Sequence, residues 1–218
     1  EQGIIGQEIQ MGADNPELRA YYNLLNCLYL SHPIKDRVIG TVESIREITP
    51  ELLYDCHEAF YNPSNMVLCV AGDVSPDTVE KMVLETLHPA GGKAPIRNYG
   101  PAEAPVSASP RQEETMEVSA PLFYIGWKQP LSEADPLEEQ LTGELACELL
   151  FGSSSPLYAR LYADGLIDHD FGYGFETYPG CRFLLAGGES RDPDAEKSGF
   201  RQPAAESQFD GKHLRGTG

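Results

Sequence analysis

From His88 to Pro110 the chain reads HPAGGKAPIRNYGPAEAPVSASP, with five prolines, three glycines and almost no large apolar side chain. Such a stretch cannot bury enough surface to build a core, and it favours extended backbone. Whatever folds on either side must be held together by its own residues. The expected organisation is a folded part over 1–87, a Pro/Gly-rich linker over 88–110, a second folded part over 111–190 and an irregular or disordered tail over 191–218. A length of 218 residues is compatible with one domain or two.

In the first part, apolar Ile4, Ile5, Ile9 and Met11 recur at a spacing near 3.6, which predicts a helix over 1–11 despite Gly3 and Gly6. The break GADNPE offers Asp14 or Asn15 as N-cap and Pro16 as first helical residue, so ELRAYYNLLNCLYL predicts a second helix. TVESIREI and TPELLYDCHEAFY predict two more, the latter opened by Thr49, Pro50 and Glu51. MVLCVAGDV is a continuous apolar run bounded by Asn65 and Gly72, the pattern of a strand buried on both faces. SPDTVEKMVLETL follows as a helix capped at Ser75.

In the second part, RQEETMEV and APLFYIGWKQP predict strands. PLEEQLTGELACELLF predicts a long helix with Leu141, Leu145, Leu149 and Leu150 on its apolar face, and PLYARLYADGLI another helix. DFGYGFETY and CRFLLAGGE predict a strand pair around Pro179-Gly180. After Glu189 there is no Val or Ile and one Leu, so the tail is expected to pack poorly. The sum is an α+β architecture in two parts.

Thirty-four acidic against sixteen basic residues give a formal charge of −18, which argues against nucleic acid and anionic membranes as partners. No apolar run approaches the roughly 18 residues of a membrane span, and no secretory signal pattern opens the chain. Cys27, Cys56, Cys69, Cys147 and Cys181 are odd in number, widely spaced and without a CxxC pair, and read as reduced core thiols of a cytoplasmic protein.

Several chemical motifs are excluded by spacing. GSSSPLYARL lacks GxSxG, and Ser154 or Ser155 before Pro156 is what a helix N-terminus needs. Cys56, His57 and Glu58 sit about 100° apart around a helix and cannot share an ion. His32, His57, His88, His169 and His213 contain no HxxxH pair, and neither AGDVSPDT nor AGG satisfies a phosphate-cradling glycine motif.

The opening EQGIIGQEIQM places Glu1 and Glu8 seven residues apart. Two helical turns superpose them on one face, about 10.5 Å apart along the axis, so they face one site but cannot chelate one ion together. Glutamate is seldom buried without a partner, and composition alone favours a solvated acidic stripe. Spacing leaves both readings open.

Taken together, EQGIIGQEIQM, the stretch from NLLNCLYL through MVLCVAGDV, and ELLFGSSSPLYARLYADGLID resemble the insulinase-type zinc peptidases. This family includes the mitochondrial processing peptidase and bacterial relatives with an inverted HxxEH zinc motif. The resemblance covers roughly residues 1–194 and implies the metallohydrolase fold shared by LuxS and the mitochondrial processing peptidase. Residues 1–87 then correspond to the C-terminal part of the first peptidase domain and 111–190 to the N-terminal part of the second.

The resemblance also implies a third zinc ligand within a pattern like E-x-G-[VI]-[IL]-x-x-E. Glu8 matches that ligand and Glu1 the accompanying glutamate, a supporting group acting through hydrogen bonds or water. HxxEH, which would carry two histidines and the general base, is absent from the chain. The implication is a fragment of a longer zinc endopeptidase acting on peptides or small unfolded proteins, inactive and without bound zinc by itself. The parent is expected to be cytoplasmic and a homo- or hetero-oligomer. The alternative is a catalytically silent scaffold or partner subunit of the same fold, against which retention of Glu1 and Glu8 weighs.

Overall fold

Most of the helices open on a proline preceded by a short polar side chain, because proline at the first turn has no N–H to leave unpaired and its φ is already helical. In the computed structural model, which describes residues 1–87, 95–192 and Phe200, the helices before the sheet are α1 (Gln2–Ala13), α2 (Pro16–Leu28), α3 (Val42–Arg46), α4 (Pro50–Phe60) and α5 (Pro76–Thr86). There follow β1 (Leu122–Lys128), α6 (Pro136–Phe151), α7 (Pro156–Ala163), β2 (Gly172–Tyr178) and β3 (Cys181–Glu189). Asn15, Thr49 and Ser155 accept the N–H groups of Leu18, Leu52 and Tyr158 at 2.9, 3.2 and 3.0 Å. Ser75 precedes α5 without such a bond.

The chain forms two compact units, one of Glu1–Gly6 with Gly40–Asn98, the other of Gln7–Ile39 with Tyr99–Gly218. The second contains an antiparallel sheet in the order β1-β3-β2, with Ala186 of β3 between Ile125 of β1 and Tyr173 of β2. Alternation along the strands sends side chains to two faces. On one, Phe123, Phe175 and Ala186 pack with Cys147 and Phe151 of α6 and Leu157 and Leu161 of α7. On the other, Leu24, Leu25 and Leu28 of α2, with Tyr29, cover Cys181 and Phe183. The result is an α+β unit of three layers.

Glycines at two positions let the layers close. A Cβ on Gly126 would lie 2.8 Å from Leu24 Cδ1, so its absence admits α2 to the sheet. A Cβ on Gly143 would overlap the Phe175 ring, so this helical glycine is where β2 seats against α6.

Glu103 anchors the connector. Its carboxylate accepts the N–H groups of Leu30 (3.2 Å), Ser31 and His32 (2.6 Å), just beyond the end of α2, and pairs with Lys128 of β1 at 3.0 Å. Both side chains are nearly inaccessible, at 5% and 7%. The Lys128 ammonium also donates to Leu28 O at 3.1 Å and lies 4.5 Å from the centre of the Tyr29 ring. Burial alone would raise the Glu103 pKa, but the three backbone donors and Lys128 prevail and hold it at about 2 against an ordinary 4.5.

Three local expectations are corrected. Met66–Val74 forms no strand, because a strand needs a hydrogen-bonded neighbour and no strand is found among the described residues of its unit. RQEETMEV is also not a strand; side chains hold it instead, with Glu114 accepting from Arg19 and Asn23, and Gln112 donating to Asn23. The packed face of α6 runs through Gly143, Cys147, Leu150 and Phe151, leaving Leu141, Leu145 and Leu149 exposed. The tail over 191–218 lies largely outside the described residues, but Phe200 is helical and packs into the core against Phe123, Trp127, Phe151 and Phe171.

Gly143→Ala should lower stability by about 2 kcal/mol, because the Phe175 ring must leave its seat; an unchanged denaturant midpoint would contradict this packing. The depressed Glu103 pKa contributes stability that is complete above pH 4.5 and lost as pH falls through about 2. Glu103→Gln should remove that part of the acid profile and cost about 3 kcal/mol at neutral pH by leaving Lys128 buried without its counter-charge.

Candidate functional site

Helix α1 carries both predicted glutamates. The Glu1 carbonyl accepts the Ile5 N–H at 2.9 Å, so Glu1 stands at the helix entrance and Glu8 two turns on. Ile5 and Ile9 are half-buried, whereas Glu1 and Glu8 are exposed. At 100° per residue, Ile4 and Met11 project beside the two glutamates, and they are also exposed, at 57% and 72%. An exposed face that mixes two carboxylates with two large apolar side chains differs from an ordinary solvated stripe. The apolar members were visible in the sequence at helical spacing, but their exposure was not.

Among the described residues, Glu8 belongs to no group of three metal-type donors. Among the described residues, three such donors meet only at Asp168, His169 and Asp170, on the turn before β2. There Asp168 is occupied in shaping the turn, accepting the Asp170 N–H at 2.9 Å.

Of the remaining histidines and cysteines, His32, Cys147 and Cys181 serve the packing of the sheet-bearing unit. The His32 ring donates from Nε2 to Pro179 O at 3.0 Å and accepts the Ile34 N–H on Nδ1 at 3.1 Å, which ties the end of α2 to the β2–β3 turn. His57 stacks on Tyr61 along α4, with Cys56 and Glu58 likewise exposed. His88 and His213 lie outside the described residues. All five cysteines are free, but only Cys147 and Cys181 are core thiols, each pushed up to about 11 chiefly by burial. Cys56 and Cys69 are exposed, contrary to the expectation that all five are buried.

A recess of about 580 Å³ lies between α2, β1 and the segment 107–116. Its charged lining is already paired: Arg19 and Asn23 bind Glu114, and these bonds hold the Glu114 pKa below its ordinary value. It is a seam between packed segments, not a reactive cleft.

Residues 47–201 match the family model described as the peptidase M16 inactive domain. The chain belongs to the insulinase-type M16 peptidase family. A relative in Bacillus subtilis, the uncharacterized zinc protease YmfH, is 38% identical over 199 residues, which cover 89% of this chain and 46% of that protein. The crystal structure of an M16-like peptidase from Alicyclobacillus acidocaldarius superposes with a TM-score of 0.88 at 32% identity, covering 97% of this chain and 52% of the other. The fold is also that of a peptidase M16 inactive domain from Pseudomonas fluorescens, with a TM-score of 0.67 at 19% identity, covering 92% of this chain and 50% of that one. The chain therefore spans about half the length of these M16 proteins. No described helix is long and apolar enough to cross a membrane.

With Glu8 in no group of three metal-type donors among the described residues, the isolated chain should carry far less than one zinc per molecule after gel filtration in zinc-containing buffer. Stoichiometric zinc by elemental analysis would contradict that count of donors.

Proposed function

We propose that this chain is the middle portion of a zinc-dependent endopeptidase acting on peptides or small unfolded proteins, with Glu8 as a zinc ligand and Glu1 as its support. The observation that carries this reading is the EQGIIGQE stretch on an exposed helix face, in a chain whose M16 relatives include proteins named zinc proteases. Residues 1–87 are the C-terminal part of the first peptidase domain, 88–110 the linker, 111–190 the N-terminal part of the second domain and 191–218 an irregular extension.

The donor set fits zinc as a partial contribution. A carboxylate oxygen is an ordinary zinc donor, and a catalytic site uses three protein donors with one position left for water. When bound, zinc lowers the pKa of that water and polarises the peptide carbonyl. Glu8 supplies one donor. Glu1, two turns away, orients its surroundings through hydrogen bonds or water, as outer groups of metal sites do. The remaining donors and the proton-accepting glutamate belong to HxxEH, which this chain lacks, so by itself the chain is inactive. The parent is cytoplasmic and works as a homo- or hetero-oligomer.

A second reading has its own support: the matching family model is described as an inactive domain, which favours a silent scaffold or partner subunit.

In the full-length parent, Glu8→Gln should leave well under one zinc per molecule by elemental analysis, and full zinc occupancy would sink the ligand assignment. Glu1→Gln should retain zinc while peptide hydrolysis falls about 10- to 100-fold. A wild-type parent without zinc or hydrolysis would favour the scaffold.

A further inference from the structure

Helix α1 has no basic residue in its own last turn, where unpaired carbonyls carry partial negative charge. Arg37 brings a cation there from outside the helix. After α2 the chain makes a single turn over Pro33–Lys35, capped by His32 and closed by the Asp36 N–H on Pro33 O at 3.0 Å, and Arg37 follows directly. Its Nη1 donates to Ile9 O at 3.5 Å. A Cβ on Gly12 would overlap the guanidinium and lie 3.2 Å from Leu18 Cδ2, so Arg37 rests on α1 in the space that a side chain at position 12 would fill. Positions 8 and 12 are neighbours on a helix surface, and helical side chains lean toward the N-terminus, so that space adjoins Glu8. Arg37 is half-buried, and among the described residues neither it nor Glu8 forms an ion pair.

We propose that Arg37 is a positioning residue for Glu8: by holding the Ile9 peptide and resting on Gly12, it fixes the rotation of the turn from which the Glu8 carboxylate reaches zinc. The inference rests on the reading of Glu8 as a zinc ligand. Because Glu8 is exposed and has no ion-pair partner among the described residues, the backbone that carries it sets its direction. At about 6 Å from the helix axis, a rotation of about 10° carries a carboxylate about 1 Å, well beyond the roughly 0.2 Å within which metal–ligand distances lie. Only one N–H of the guanidinium is used on α1, so a lysine ammonium, which also brings positive charge to the helix end, can take its place. Alanine cannot. Glycine at position 12 is required for the same reason, since a larger side chain displaces the guanidinium.

The test uses the full-length parent, with zinc affinity read by competition against a chelator and the geometry of the site by the visible spectrum after cobalt(II) replaces zinc. Arg37→Ala should weaken zinc binding about 10- to 100-fold and alter the cobalt bands, and Arg37→Lys should restore both. Gly12→Ala should reproduce the loss with Arg37 intact. Combining it with Arg37→Ala should add little, because both changes remove the same contact. A merely structural role would lower the denaturant midpoint and leave the zinc affinity and cobalt bands of the folded protein as in the wild type, and that result would overturn the proposal. Additive losses in the double variant, or no recovery with lysine, would overturn it too. Glu8→Gln separates the two assignments. If it abolishes zinc binding while Arg37→Ala and Gly12→Ala leave affinity unchanged, the positioning role fails and the ligand stands. If Glu8→Gln keeps full affinity, the ligand assignment fails and the role of Arg37 falls with it.

Discussion

A carboxylate and an ammonium removed from water at the end of α2 hold the sheet-bearing unit in register. Glu103 and Lys128 are costly to desolvate, and the cost is offset because each has further partners: three consecutive backbone N–H groups for the acid, the Leu28 carbonyl and the Tyr29 ring for the base. One pair thereby joins the connector to α2 and to β1. With α2 fixed over the sheet, Leu24, Leu25 and Leu28 cover one face while α6 and α7 cover the other.

The two units differ in kind. The sheet-bearing unit satisfies its strands and buries both faces, even recruiting Phe200 from a segment poor in apolar residues. The other has sound helices and well-made caps but, among its described residues, none that is buried, and an unpaired apolar run. Caps and propensities act within a few residues and form helices locally, whereas burial needs a second surface.

This contrast explains how much was legible. The helices of the chain, the β2–β3 hairpin and strand β1 follow from local signals: proline at the first turn, a polar cap, alternation, and Pro179-Gly180 between two runs. The candidate glutamates were equally readable, since helix geometry alone puts Glu1 and Glu8 on one face. Strand identity at 66–74 was not, because pairing is a property of two segments and the sequence of one does not name the other. The packed face of α6 was misread for a related reason. Leucines at 141, 145 and 149 look like a core stripe, yet the helix turns Gly143 and Cys147 inward because the Phe175 ring fits only where a side chain is missing.

Nothing in a run of Pro, Ala and Gly marks Glu103 as the residue that binds α2 to the sheet; that role exists only once three N–H groups and Lys128 converge on it. The sequence by itself determined the helices, the hairpin, the acidic character and the resemblance to zinc peptidases, since each rests on spacing within a short window or on composition. The tertiary structure alone decided which charges are buried together, which leucines meet the core and which apolar run stays open, because those outcomes depend on surfaces brought together from distant parts of the chain.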